Sequence, residues 1–202
     1  MKQSLFFNKK FAYFITAIII ALSFLLGGAK SLNSARDKVV TVFEDGKKQG
    51  FLSSCVNTVS DFFNEENKAA NSLLEDVRKC AEASQTIAVI AEKYLGENDV
   101  VVGKLENVIR NMKSTKSIDK IHEFTIEIEL LTSELRQKDG VKSMEENDKY
   151  DWNNAFNEMA SYKNTKNLRE YNEKAKSYNK RLQEFPANII RATRLVEELP
   201  IF

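Results

Sequence analysis

At 202 residues, 43% hydrophobic and 29% charged, the chain is long enough to bury a sizeable core, while 7 glycines and 2 prolines are too few turn residues for a strand-rich domain. A formal net charge of +1 sets up no global basic field, and without Lys2, Lys9 and Lys10 the remainder is slightly acidic, which disfavours nucleic acid as a partner. The class these values predict is all-α: a single N-terminal transmembrane helix followed by an antiparallel bundle of long helices.

Phe11 to Ala29 is uncharged and dominated by Ile, Leu, Phe and Ala. At about 1.5 Å per residue it spans roughly 28 Å, close to the ~30 Å of bilayer hydrocarbon. Lys9 and Lys10 precede it, and Lys30 and Arg36 follow. That balance favours a cytoplasmic tail (1–10), a spanning helix in the lipid bilayer (11–29) and an extracytoplasmic helical domain (30–202) at the cell membrane. The alternative is a secreted helical binding protein released from a signal peptide, since Gly27-Gly28-Ala29 supplies the small residues of a cleavage site. The apolar block exceeds the usual signal core, which favours the anchor. No cysteine directly follows it, so a lipoprotein anchor is not expected.

Leu32, Ala35, Val39, Val42 and Phe43 continue at helical spacing, predicting that the spanning helix runs on to Asp45. Gly46 and Gly50 then predict a break. A phosphate-binding loop is not indicated, because neither a preceding strand nor a Gly-Lys-Ser/Thr ending is present. From Phe51 to Leu95 the apolar and small positions Leu52, Val56, Val59, Phe63, Ala70, Leu73, Val77, Cys80, Ser84, Ile87, Ala91 and Tyr94 alternate by three and four, apart from one gap at Glu66. That coiled-coil-like seam predicts one long helix on which the rest packs. On such a helix Cys55 and Cys80 would be too far apart to bond; a hairpin near Asn64 to Asn67 would instead bring them together.

Gly96 is placed to end that helix and Asn98 or Asp99 to cap the next, whose stripe is Val101, Leu105, Val108 and Met112. Ser117 is a plausible cap for a helix carrying Ile121, Phe124, Ile128, Leu131 and Leu135, with Gly140 beyond its end. Val141 to Lys149 reads as a polar connection whose acidic Glu145 to Asp148 is solvated, because the EF-hand order of ligands and glycine is absent. A last long helix starts near Asp148 or Asp151. It presents Trp152, Phe156 and Met159, then Tyr171, Ala175, Tyr178, Leu182 and Phe185, until Pro186 stops it. Ala187 to Phe202 reads as a short amphipathic helix on the bundle, or as a contact for a membrane surface or partner.

Nothing in the sequence assembles a catalytic or cofactor site, and no cofactor, metal or enzymatic activity is expected. The single histidine, His122, lies beside the seam residue Ile121 and reads as a packing residue; no metal-ligand spacing surrounds it. No nucleophile elbow or supporting strand accompanies the serines.

Tyr171-Asn172 and Tyr178-Asn179 recur seven residues apart, nearly two helical turns, which puts the tyrosines on one face with the asparagines beside them. Buried rings with hydroxyls reaching partners, and asparagines bonding across helices to fix register, are the structural expectation. A recognition patch is the functional one. With Phe185-Pro186, Asn188, Ile189 and Ile190 downstream, this run resembles the closing helix of the LemA family. A weaker likeness lies at Ser31-Leu32 to Val39, and the order of elements along the chain is also similar. The resemblance implies a membrane-anchored antiparallel bundle without an established activity, and marks Tyr171, Asn172, Tyr178, Asn179, Phe185 and Pro186 as the family motif that closes it. The chain departs where the family shows a tryptophan, paired arginines and an Asp-Leu-Ile-Pro-Asn-Leu stretch; here stand Phe43, Gly46 to Gly50, then Leu52 to Val59. It reads as a divergent member or close relative, a non-enzymatic interaction or scaffolding module whose protein partner or self-association the sequence does not name.

Overall fold

The computed structural model describes residues 9–46 and 72–202, all of it helix, turn or irregular chain with no strand among the described residues. Residues 47–71 lie outside the described part, and with them Gly50, Cys55 and the first half of the predicted long helix. A long apolar N-terminal helix is followed by helices packed together, as composition and periodicity predict. Two compact units are distinguished: residues 1–38 with 176–199, and residues 39–175 with 200–202.

Helix α1, Lys9–Asp45, is continuous, and its environment changes along its length. Residues 12–24 are exposed on every side despite their apolar character, including Tyr13 at 74% and Ile20 at 63%. From Ala29 burial falls on one stripe, Ala29, Leu32, Val39 and Phe43, the pattern of an amphipathic helix with a packed face. The helix is long and apolar enough to cross a membrane, and a signal sequence would satisfy the same criterion. It ends at Gly46, whose φ of 71° lies in the left-handed region that favours glycine and whose N–H donates to the Val42 carbonyl at 3.1 Å.

In the unit containing residues 39–175, helix α2 (Leu73–Leu95) is central. It packs on α3 (Val100–Ser114), α4 (Ile118–Gln137), α5 (Asp139–Lys142), α6 (Glu146–Ser161) and the 3-10 turn Tyr162–Asn164. Leu73, Val77, Cys80, Ser84, Ile87 and Ala91 of the predicted seam are all buried. Ser72 has extended backbone and its hydroxyl accepts from the Glu75 N–H, so α2 starts here and the helix predicted from Phe51 to Leu95 does not run unbroken through this residue. The serine side chain competes for the first free amide, which favours a start over continuation. Gly96, Asp99 and Ser117 end or cap helices where the sequence placed them, Asp99 accepting from the Val101 and Val102 amides at 2.9 and 3.3 Å.

Two expectations fail in instructive ways. Glu145 to Asp148 is not a solvated loop but the start of α6, with Glu146 and Asp148 in its first turn, where carboxylates complement the helix dipole. Asp148 accepts from Lys93 at 2.5 Å and from the Tyr94 hydroxyl, which in turn accepts from the Glu145 N–H at 3.1 Å. The last long helix is two helices: α6 closes at Ser161, and α7 (Lys166–Gln183) begins after Thr165, whose extended backbone and Oγ1, accepting from the Leu168 amide, make it a cap. The tail is also shorter in helix than expected, with α8 limited to Ala187–Ala192 and no helix beyond it.

Candidate functional site

The Tyr-Asn pairs lie on α7, and their asparagines hold the chain's own C-terminal segment. In the unit of residues 39–175 and 200–202, Asn172 makes a two-point clasp on one residue: its Nδ2 donates to the Phe202 carbonyl at 2.7 Å and its Oδ1 accepts from the Phe202 N–H at 3.0 Å. The Tyr171 hydroxyl donates to the Pro200 carbonyl at 2.9 Å. Phe202 then enters an aromatic cluster, stacked on Phe43 at 5.6 Å and edge-on to Tyr171 and His122 at 5.7 and 4.8 Å. Tyr171 also meets Phe43 edge-on at 5.5 Å. His122 is therefore a half-buried packing residue, as its position beside Ile121 predicts.

In the unit of residues 1–38 and 176–199, Asn179 repeats the chemistry on Leu199, donating to its carbonyl and accepting from its N–H, both at 2.8 Å. An amide side chain offers one donor and one acceptor side by side, the complement of a peptide residue's own pair, so each asparagine acts as a one-residue strand partner. Tyr178 differs from Tyr171: its ring is buried, but its hydroxyl is buried without a hydrogen-bond partner among the described residues. Burial pushes its pKa up; Asp37 adds to the rise and Arg36 opposes it.

The motif residues thus separate. Tyr171 and Tyr178 are buried as expected, and the Tyr171 ring meets Phe43 of α1 and Phe202. The asparagines bind tail backbone and do not bridge helices. Phe185, marked by the resemblance as part of the motif that closes the bundle, is 79% exposed, and Pro186 is exposed beside it. With α7 ending at Gln183, Phe185 has left the helical register that would have turned it inward. Sequence reasoning missed Leu199 and Phe202 as the partners of the repeat. A signal was present: seven residues of helix rise about 10.5 Å and three of extended chain span about 10 Å, so asparagines seven apart match partners three apart.

Other polar side chains join elements of the fold. Glu129 accepts from the Tyr162 hydroxyl at 2.6 Å and from Lys163 at 2.7 Å, beside an open recess of about 210 Å³ lined by Arg136, Phe156 and Met159 among others. Cys80 is a buried free thiol whose pKa burial pushes up to about 12, with Glu129 adding to the rise, so it stays protonated and poorly nucleophilic. A second recess of about 590 Å³ carries Glu82, Asp151 and Glu158 over Val89 and Ile90. Among the described residues no group of three or more His, Cys, Asp or Glu is placed to hold a metal ion. Compared with protein-family models, curated proteins and solved structures, the chain matches none.

Proposed function

We propose that the chain is a single-pass membrane protein: residues 1–10 cytoplasmic, 11–29 spanning the bilayer, and 30–202 an extracytoplasmic helical module that acts by interaction or scaffolding at the cell envelope and not by catalysis. The observation that carries this reading is the change along α1, apolar and exposed on every side from Ala12 to Phe24 and one-sided from Ala29, within one unbroken helix. A helix apolar all round is at home in lipid, and a one-sided helix at a protein surface. The clasps on Leu199 and Phe202 support a module whose polar side chains recognise peptide backbone, here its own. The Tyr-Asn run and the order of elements support a divergent relationship to the LemA family.

The second reading, release after signal cleavage, rests on Gly27-Gly28-Ala29. Those residues are helical and Ala29 is buried at 7%, which supports retention. Intact mass of the protein from washed membranes tests this. The full 23.1 kDa chain is expected; a species lacking residues 1–29, found in the soluble fraction, would establish the secreted form.

A further inference from the structure

We infer that the turn from Phe185 to Leu195 is a second membrane contact, dipping its exposed apolar side chains into the headgroup and upper acyl region of the same bilayer that α1 spans; this rests on the anchor proposed above. The level is set within the unit of residues 1–38 and 176–199. Tyr178 lies within electrostatic reach of Arg36 and Asp37, whereas Ile190 packs on Gly28 so closely that a Cβ there would stand 2.3 Å from its Cδ1. From residue 36 to residue 28 is about 12 Å along a helix. The chain therefore descends along α1 between Tyr178 and Ile190, reverses there, and climbs again to Leu195, whose carbonyl accepts from Asn33 at 3.3 Å.

Of the three residues so placed, Ile190 lies lowest, beside Gly28 at the end of the apolar run, where an α1 crossing the bilayer leaves the hydrocarbon. Along this turn Phe185, Ile189 and Leu195 are 79%, 47% and 44% exposed, while Ile190 and Ala187 are buried. In water those three large side chains would be solvated apolar surface; at a lipid interface they become its anchor. Lys180 and Arg181 in the last turn of α7, together with Arg191 and Arg194, supply cations for lipid phosphates around them. Arg191 is shared with Glu198 at 2.8 Å.

The test uses the full chain reconstituted into phosphatidylcholine vesicles with bromine on the upper acyl carbons, a short-range quencher of tryptophan. Phe185→Trp, Phe24→Trp and Lys176→Trp are compared with the parent, whose Trp152 sets the baseline. The expected result is loss of most of the added emission at positions 24 and 185 and none at 176. Quenching at 24 but not at 185 overturns the second contact and leaves the anchor standing. No quenching at 24 refutes the anchor itself, and quenching at all three positions overturns a contact confined to the turn.

Discussion

Replacing Asn179 by alanine removes two neutral hydrogen bonds of 2.8 Å to the backbone of Leu199. At about 0.5–1.5 kcal/mol each, the direct loss is about 1–3 kcal/mol. Leu199 is 2% exposed, so water cannot readily replace the lost partners and the upper half of that range applies. Asn172→Ala should cost less, because Phe202 is half-buried and its freed groups can be solvated. For a chain of this size about 2–4 °C of midpoint accompanies each kcal/mol, so Asn179→Ala should melt several degrees below the parent. Far-UV circular dichroism melts of the detergent-solubilised full chain give the comparison. Asn179→Asp sharpens it: an ionised carboxylate keeps the acceptor for the Leu199 N–H but faces its carbonyl, which raises the folded-state pKa. The protonated acid restores the donor, so that variant should be most stable below about pH 4 and lose stability as pH rises through the raised value. An unchanged midpoint for Asn179→Ala would refute the clasp as a source of stability.

The two tyrosines of the repeat should behave oppositely. Tyr171→Phe should cost about 1 kcal/mol through the lost bond to the Pro200 carbonyl, whereas Tyr178→Phe, which deletes a buried hydroxyl without a partner, should be neutral or stabilising in the same melts; equal destabilisation by both would contradict the assignment. Leu73→Ala and Ile87→Ala should each cost about 2–5 kcal/mol as truncations of fully buried side chains, measured by denaturant titration against Lys174→Ala, a solvated position expected to be near neutral. In a Cys55→Ser background, Cys80 should react with a maleimide at pH 8 far more slowly in the native than in the denatured protein, and equal rates would show that it is not buried. Asp99→Ala should cost about 1 kcal/mol as a lost helix cap. Its Lys138 bond, first, and the Val101 and Val102 amides hold the Asp99 carboxyl below its usual range, so its contribution is complete above about pH 4 and is lost as pH falls through the lowered value; an acid titration of stability that did not flatten in the variant would argue otherwise.

Local signals were legible wherever one residue decides the backbone. Gly46, Gly96, Asp99 and Ser117 sit at helix ends for reasons visible in their side chains, or in the lack of one, and the buried seam from Leu73 to Ala91 follows from spacing alone. What was misread depended on competition. Thr165 splits the Trp152 and Tyr171 segments because its hydroxyl caps α7, yet the apolar period on either side permits a single helix. Glu145 to Asp148 has the composition of a solvated loop, and only Lys93 and Tyr94 brought from α2 make Asp148 a docking point for a helix start. The asparagines were recognised as polar members of a buried face, but their partners are backbone groups, which carry no sequence signature except spacing.

The account stands or falls on the placement of residues 30–202 across the membrane from residues 1–10. A cysteine introduced at the exposed Ser161 (Ser161→Cys) and challenged with a membrane-impermeant maleimide in sealed right-side-out vesicles reads that placement directly, with the parent chain as baseline. Labelling above the parent level without detergent is the predicted result; labelling that appears only after the vesicles are opened would put the helical module on the cytoplasmic side and contradict the account.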